Sequence, residues 1–272
     1  LNYMTISSPL ATQIPQAAGY AYGQKLRGEG LCTVTYFGEG AASEGDFHAA
    51  LNMAAVHRVP VIFLCRNNGY AISTPAAEQF AADGVAPRAY GYKMDVIRVD
   101  GNDILAMYQA TQEARKLAVE HNRPVLIEAM SYRLAAHSSS DDPSGYRSKD
   151  EEAVWREKDP ILRMRLWLES KKWWSEDDEK QLQENMRREV LETMKRAQKR
   201  PPPPLESLVS TPREGPEMTK MNMLQAINNA LDTAMAENER VLCFGEDVGV
   251  FGGVFRATSN LQQKYGKARC FN

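Results

Sequence analysis

Short apolar runs alternate with segments of helical character over the first half of the chain. Residues with helical character lie in the segments 14–29, 43–57 and 102–121. The apolar runs are 31–37, 61–65, 95–99 and 125–130. Runs of this length are typical of buried parallel strands. Their alternation with helices predicts an α/β fold with a doubly wound parallel sheet, in which ligands bind at the carboxyl ends of the strands.

The second half of the chain predicts helices followed by a break. Residues 136–149 are polar, contain Pro and Gly, and predict a loop. Pro160 predicts the start of one helix, and Ser175 with Asp178 predicts a capping box at the start of the next. The four prolines at 201–204 cannot continue that helix.

Organised sequence resumes at Met221 and is short. The pattern predicts a helix with Leu224, Ile227, Leu231 and Met235 facing inward, a strand at 241–244 and a Gly-rich loop. So short a segment cannot form a core of its own. The predicted divisions are an α/β domain over 1–150, a helical extension over 151–200, a linker over 201–219 and a fragment of a second α/β domain over 220–272.

Composition excludes several classes of function. Apolar residues make up 43% of the chain and charged residues 25%, as in an ordinary globular protein. A net charge of −2 gives no electrostatic reason to expect nucleic acid or an anionic membrane as a partner. The four cysteines are scattered without the spacing of a metal site, which favours a reducing compartment.

Two polar motifs follow neighbouring strands of the predicted sheet. Gly-Glu-Gly at 38–40 comes after the first strand, and Asn-Asn-Gly-Tyr at 67–70 comes after the second. About 30 residues separate Glu39 from Asn68, the length of one βαβ unit. A carboxylate and an amide oxygen placed side by side would suit Mg²⁺, and Arg66 could pair with a diphosphate. Either motif alone is better explained by an ordinary turn, but the two together in this order favour a site.

These motifs resemble those of the thiamine diphosphate family, which open with Gly-Asp-Gly or Gly-Glu-Gly and close with Asn-Asn. The segments GEGAASEGD, CRNNGYAIST, RVDGND and LIEAMSYR are similar to the alpha subunit of branched-chain 2-oxo acid dehydrogenases over about residues 2–205. The resemblance implies the thiamine diphosphate-binding fold. It also implies that Glu39, the Asn68 side chain and the Tyr70 carbonyl bind Mg²⁺.

The resemblance assigns further residues to the cofactor and to ions. Those that would contact thiamine diphosphate are Ser8, Leu10, Gly40, Ala41, Arg66, Asn68, Tyr70 and His137. The residues that would hold a monovalent cation such as K⁺ are Ser7, Pro9, Thr12 and Gln13. From composition alone, the segment SSPLATQ is equally well a loop that leads into a helix.

His137 matches the active-site histidine of the family, which lies near the reactive carbon of the cofactor. A lone histidine is more often structural or solvated, and the usual His-His pair of the family is Ala136-His137 here. Ser138 and Ser148 match the two regulatory phosphorylation positions, although a serine-rich loop is more often only mobile. A phosphate on Ser138 would place nearly two negative charges beside His137 and an anionic substrate.

Residues 218–272 are similar to the start of the beta subunit of the same enzyme, which is normally a separate chain. The resemblance implies an alpha segment shortened at both ends, joined to a beta segment that lacks the glutamate contacting the aminopyrimidine. The isolated chain is therefore expected to be inactive. The loop acid Glu246 is not assigned the role of that glutamate.

The resemblance implies oxidative decarboxylation of branched-chain 2-oxo acids in an α₂β₂ heterotetramer, with the acyl group passed to lipoyllysine. Implied partners are the complete beta subunit, the lipoyl-bearing transacylase core, a regulatory kinase and phosphatase, and a small 2-oxo acid. A eukaryotic protein would act in the mitochondrial matrix, in branched-chain amino acid catabolism, and a bacterial one in the cytoplasm. Alternatives are a pyruvate or other 2-oxo acid dehydrogenase, and a non-catalytic fragment that binds partner subunits.

Overall fold

The computed structural model describes residues 3–4, 6–202, 221–245, 248–250 and 252–272. It divides into two compact units, Leu1–Trp174 and Ser175–Asn272. The predicted linker, apart from its first two residues, and the loop acid Glu246 lie outside the described residues. The division falls at Ser175 rather than at residue 150, and the predicted domain boundaries stay predictions.

The first unit contains a parallel sheet of four strands and one short antiparallel pair. Its strands are β1 Thr33–Gly38, β2 Val61–Asn67, β3 Tyr70–Ala71, β4 Thr74–Pro75, β5 Asp95–Asp100 and β6 Val125–Met130. The order in the sheet is β1-β2-β6-β5, with every pair parallel, while β3 and β4 pair with each other. The predicted parallel α/β fold is confirmed. The last strand in sequence, β6, lies between β2 and β5.

The helices of this unit connect the strands and extend beyond them. They are α1 Gln13–Arg27, α2 Gly45–His57, α3 Ala76–Gln79, α4 Ala86–Tyr90, α5 Ile104–His121, α6 Lys149–Arg156 and α7 Pro160–Ser170. Side chains on β2 alternate between two apolar clusters, because successive residues of a strand point to opposite faces. Phe63 joins the cluster packed by α1 and α2, and Ile62 joins Ala114 and Ala118 of α5. Helices therefore cover both faces of the sheet.

Several predicted boundaries differ from the structure by about two residues. The first helix ends at Arg27 because Gly28 adopts a left-handed conformation with φ +63° and donates its N–H to carbonyls of the last turn. The second helix begins at Gly45 rather than Ser43, because a 3-10 turn occupies Ala41–Ser43. The first strand begins at Thr33, since Leu31 and Cys32 precede the ladder with β2.

The second unit is helical with one short strand pair. It contains α8 Glu176–Gln198, α9 Met223–Glu237, β7 Cys243–Phe244, α10 Leu261–Tyr265 and β8 Cys270–Phe271. The capping box predicted at Ser175 and Asp178 is confirmed. Met235 is buried against Leu261 and Cys270, with Leu231 partly buried beside them.

The inward positions predicted for Leu224 and Ile227 are wrong. Both side chains are exposed, because the small cluster of this unit covers only the C-terminal half of α9. The strand predicted at 241–244 begins at Cys243, where the ladder with β8 starts. In the described part of the chain, no helix combines the length and apolar character needed to span a membrane.

Leu51 and Val56 provide a matched test of the packing of α2. Leu51 is fully buried and Val56 is 68% exposed on the same helix. Truncation of Leu51 leaves a cavity, so we expect Leu51→Ala to lower the free energy of unfolding by about 2–5 kcal/mol. Val56→Ala should change it by less than about 0.5 kcal/mol. Urea unfolding followed by circular dichroism measures both, and equal losses would contradict the packing described for this helix.

Candidate functional site

Glu39 and Asn68 lie at the carboxyl ends of neighbouring strands. Gly38 and Arg66 are register partners on β1 and β2, so the residues that follow them emerge at the same edge of the sheet. The main-chain N–H of Asn68 donates to Oε2 of Glu39 at 3.0 Å. The spacing of the two motifs correctly predicted that these residues are brought together.

The second carboxylate oxygen of Glu39 is unpaired. The residue is 1% exposed, and its Oε1 has no hydrogen-bond partner among the described residues. A buried carboxylate oxygen without a partner is costly, since it loses water and gains no bond. An orphaned acceptor at the end of a strand is what a bound cation would satisfy, and the observation fits a metal ligand.

The loop after β2 has a fixed hydrogen-bond pattern. Asn68 accepts the N–H of Tyr70 through Oδ1 at 3.2 Å, and Asn67 accepts the N–H of Gly69 at 3.1 Å. Gly69 has φ +85°, a backbone conformation that is unfavourable for residues with a Cβ atom. The Tyr70 carbonyl, predicted as a metal ligand, accepts from Arg133 Nη1 at 3.4 Å.

Oxygen atoms dominate this set of groups. No cluster of three or more His, Cys, Asp or Glu residues suited to a metal occurs in the part of the chain that the structure describes. One carboxylate, one amide oxygen and one carbonyl are the modest donor set with which Mg²⁺ is usually bound, because phosphate and water complete its octahedron. The chemistry of the donors fits Mg²⁺ and does not fit a zinc site.

Gly40 allows a close approach of two segments. A Cβ at this position would lie 2.9 Å from the Cβ of Ala71. Ala41 is buried in the adjacent 3-10 turn. Gly40 is therefore packed against Ala71 of β3 without room for a side chain.

A cavity of about 800 Å³ opens at the carboxyl edge of the sheet. Residues that end or follow each of the four parallel strands line it: Gly38, Asn68, Gly101 and Ser131. Arg66, predicted to pair with a diphosphate, also lines it and is otherwise exposed. The cavity occupies the place where open parallel sheets bind ligands.

The segment before α1 brings together three of the four residues predicted to hold a monovalent cation. Thr12 Oγ1 donates to Ser7 Oγ at 2.8 Å and to the Pro9 carbonyl at 3.1 Å. Gln13 instead donates to the carbonyl of Tyr36 at 3.0 Å. Ser8 and Leu10, predicted to line the cofactor pocket, are both exposed. Their contact with a cofactor stays a prediction.

His137 lies in an exposed loop, and only its main chain is tied down. Its N–H donates to Oδ2 of Asp141 at 2.8 Å. His137 is not one of the described residues that line the cavity. The structure thus holds the backbone of this residue in place but leaves its imidazole exposed, and its catalytic role stays a prediction.

The two predicted phosphorylation positions differ in environment. Ser138 Oγ lies 3.1 Å from Ser140 Oγ on the exposed loop. Ser148 caps α6 by accepting the N–H of Glu151 at 3.1 Å. One hydroxyl is thus placed by a neighbouring side chain, and the other stabilises a helix start.

Four residues that the sequence analysis did not single out hold this loop. Arg133 Nη2 donates to the Tyr146 hydroxyl at 3.0 Å, and that hydroxyl donates to Asp141 Oδ2 at 2.7 Å. The hydrogen bond from Tyr146 and the N–H of His137 lower the pKa of Asp141 below its usual value. Arg147 donates to the carbonyls of residues 133, 134 and 135, the last two at 2.9 and 3.3 Å. No local motif identifies these residues, since their partners are backbone groups or distant in sequence.

Tyr70 and Tyr132 lie against the carboxylate of Glu151. The Tyr70 hydroxyl donates to Glu151 Oε1 at 3.0 Å. Burial, followed by the nearby Glu151, raises the pKa of Tyr132 to about 12 and raises that of Tyr70 as well. Tyr132 also stacks on Trp155 with ring centroids 5.1 Å apart. Aromatic packing therefore joins the loop after β2 to α6.

Most of the chain matches the model of one protein family. The family described as dehydrogenase E1 component matches residues 2–206. The human mitochondrial 2-oxoisovalerate dehydrogenase subunit alpha is 55% identical over 203 residues, 74% of this chain and 46% of that protein. The Dictyostelium discoideum subunit of the same name is 55% identical over 210 residues, 76% of this chain and 48% of that protein. The chain spans about half the length of these curated relatives. Transketolase of Campylobacter jejuni aligns with a TM-score of 0.41 at 23% identity, over 46% of this chain and 20% of that chain.

Arg147 and Arg156 both pair with Glu152 and provide a matched test of the loop tether. Arg147 is buried, lies 3.0 Å from Glu152 and also donates to three carbonyls, whereas Arg156 is exposed at 3.8 Å. Arg147→Met removes the donor of those carbonyls, so we expect a loss of about 1–3 kcal/mol and faster amide exchange over residues 134–146. Arg156→Met should cost less than about 1 kcal/mol. Unchanged exchange in Arg147→Met would show that the loop does not depend on this contact.

Proposed function

Because the chain belongs to the dehydrogenase E1 component family, we propose that it carries the metal- and diphosphate-binding half of a thiamine diphosphate site in a branched-chain 2-oxo acid dehydrogenase. The observation that carries the proposal is the orphaned Oε1 of Glu39, a buried carboxylate oxygen at the carboxyl edge of a parallel sheet. The donor set around it supports Mg²⁺ rather than a soft metal.

Each residue of this half-site has a distinct role in the proposal. Glu39 and the Asn68 side chain would hold Mg²⁺, and the Tyr70 carbonyl would complete the ligands from protein. Gly40 and Ala41 would lie beside the diphosphate.

Charge and local geometry support the remaining assignments. Arg66 would pair with the diphosphate from the cavity wall, where a guanidinium can bind phosphate oxygens in a bidentate manner. Ser8 and Leu10 would border the cofactor. The cluster formed by Ser7, Pro9 and Thr12, with Gln13 beside it, would hold a monovalent cation such as K⁺ through its hydroxyl and carbonyl oxygens.

Thiamine diphosphate, when bound, supplies the electron sink that allows a 2-oxo acid to lose CO₂. The contribution of this chain is to bind and orient. Glu39 and Asn68 would neutralise and place the diphosphate end through the metal. His137 would hold or donate a proton at its imidazole once its loop is closed over the reacting centre.

The relatives suggest the substrate and the assembly. They are named as alpha subunits of mitochondrial 2-oxoisovalerate dehydrogenase. A branched-chain 2-oxo acid is therefore the proposed substrate, with lipoyllysine of a transacylase core as the acyl acceptor. A complete beta subunit, a regulatory kinase and a phosphatase are the proposed partners, and the mitochondrial matrix is the proposed location.

Residues 218–272, the last part of the second unit, are proposed to be a beta-like segment. The residue pattern of 218–272 supports this assignment. The described part of this segment pairs two short parallel strands, β7 and β8, beside α9. Because a segment of this kind would supply only part of the partner's contribution, catalysis would need the complete beta subunit.

Isothermal calorimetry with thiamine diphosphate and Mg²⁺ tests the half-site. We expect binding that requires Mg²⁺ and that Glu39→Gln and Asn68→Ala weaken by at least about tenfold, as loss of a ligand does. The matched control is Glu44→Gln, because Glu44 is an exposed acid at the start of α2. Binding that persists unchanged in both site variants would refute the proposed ligands.

A second test addresses regulation at Ser138. We expect Ser138→Glu to reduce CO₂ release from 2-oxoisovalerate at least about tenfold in an assembly with intact beta subunit, since 1.4 kcal/mol of repulsion gives that factor. Ser139→Glu is the control for a charge one residue away on the same exposed loop. Full turnover in Ser138→Glu would argue against phosphorylation control at this position.

A further inference from the structure

Glu128 is a second buried carboxylate, and neither the resemblance nor the proposed half-site assigns it a role. It lies on β6 and is fully buried. Its register partner on β2 is Cys65, two residues before the loop that contains Asn68. A carboxylate in the interior of a sheet requires strong hydrogen bonds to offset the loss of water.

The donors to Glu128 come from three separate segments. Oε1 accepts from Asn67 Nδ2 at 2.8 Å and from the N–H of Val85 at 2.7 Å, and Oε2 accepts from the N–H of Ala86 at 2.9 Å. Arg98 Nε lies 3.6 Å away as a counter-charge. Every contact is a donor facing an acceptor, so this carboxylate is satisfied by the chain itself.

The contact with Asn67 sets the orientation of its side chain amide. A carboxylate only accepts hydrogen bonds, so it selects the NH₂ end of the amide and turns Oδ1 to the opposite side. Oδ1 then accepts the N–H of Gly69 at 3.1 Å. Asn67 is itself buried, so water does not compete for either end.

The bond to Gly69 fixes the loop that holds the predicted metal ligands. Gly69 lies between Asn68 and Tyr70 and has φ +85°. Two of the three residues predicted to bind Mg²⁺ thus take their position from a turn whose central N–H is held by Asn67. The orientation of Asn67 depends in turn on Glu128.

We propose that Glu128 is a positioning residue of the metal site: through Asn67 it sets the Gly69 turn and with it the ligand positions of Asn68 and Tyr70. The effect on a metal rests on the proposed function. The effect on the Gly69 turn does not, because the contacts of Asn67 carry it. Partners behind metal ligands are known to affect metal affinity strongly, because they orient the ligands.

A purely structural role is the competing explanation. Glu128 also accepts the N–H groups of Val85 and Ala86, and a Cβ on Gly84 would lie 2.6 Å from its Oε1. Loss of these bonds would destabilise the protein without any effect on the loop. The two explanations differ in what happens at Gly69.

Two variants separate these explanations: one removes the carboxylate of Glu128, and the other exchanges it with the amide of Asn67. Glu128→Leu removes both carboxylate oxygens, so Asn67 loses its acceptor. The double variant Asn67→Asp/Glu128→Gln lets Gln donate to Asp while Asp still accepts from Gly69. The double variant therefore restores the two hydrogen bonds that connect position 128 to Gly69 through position 67, but not the bond to Val85.

Asp103→Ala is the matched control for the purely structural explanation, because it removes a carboxylate that accepts main-chain N–H groups at the start of α5. Asp103 accepts two main-chain N–H groups, from Leu105 and Ala106, each at 3.0 Å, as Glu128 does from Val85 and Ala86. The contacts of Asp103 described here do not reach the loop after β2. Loss of stability without an effect on the loop is the expected result for this variant.

The experiment uses the full chain and two readouts. Amide hydrogen exchange at Gly69 is measured without metal, and Mg²⁺ affinity is measured by calorimetry with thiamine diphosphate. We expect Glu128→Leu to speed exchange at Gly69 and to lower Mg²⁺ affinity about 10- to 100-fold. The double variant should return both values close to those of the unchanged chain while staying less stable to urea.

The possible outcomes distinguish a failure of the positioning role from a failure of the proposed function. Unchanged exchange at Gly69 in Glu128→Leu, or a folded double variant in which Gly69 stays unprotected, overturns the positioning role. If Glu128→Leu does not fold, protection of Gly69 in the double variant supports the role. If no chain binds Mg²⁺ and the exchange pattern is as expected, the proposed function fails and the positioning of the turn stands.

Discussion

The hydrogen bond from the main chain of Asn68 to Glu39 is the constraint on which the site depends. It joins the ends of two neighbouring strands and holds a carboxylate that is almost fully removed from water. Burial of a carboxylate costs several kcal/mol unless its oxygens are paired. One bond compensates only part of that cost, so the strands must keep their register and the free oxygen must find a further partner. The parallel sheet provides the first condition, and a cation would provide the second.

This sheet carries two buried carboxylates, Glu128 on the inner strand β6 and Glu39 at the carboxyl end of β1. The contrast between them shows where an external ligand belongs. Glu128 is satisfied by donors from the chain, whereas Glu39 keeps one oxygen without a partner among the described residues. Cys65 lies near both. Burial raises the pKa of its thiol well above the usual value, and the charges of Glu128 and Glu39 add to the effect. The thiol therefore stays neutral and adds no negative charge beside the two carboxylates.

Local sequence patterns were enough to predict the parallel sheet and the approach of Glu39 to Asn68. Both follow from one βαβ unit, in which consecutive strands end at the same edge. The contacts of Glu128 could not be predicted in the same way. They require β6, the last strand of the first unit, to lie between β2 and β5, and apolar runs do not encode that order. The boundaries missed by two residues, as at Gly28, depend on backbone conformations that periodicity does not reveal.

The exposed loop around His137 and the loop that carries the proposed metal ligands share one guanidinium, which links their conformations. Arg133 donates to the Tyr70 carbonyl at 3.4 Å and to the Tyr146 hydroxyl at 3.0 Å. Tyr146 in turn holds Asp141, which accepts the N–H of His137. A side chain with donors in a fixed planar arrangement cannot follow one partner without moving relative to the other. Displacement of the loop around His137 would therefore change the environment of the Tyr70 carbonyl, which is one of the proposed metal ligands. The position of His137 and the geometry of the proposed metal site therefore depend on each other within the first unit.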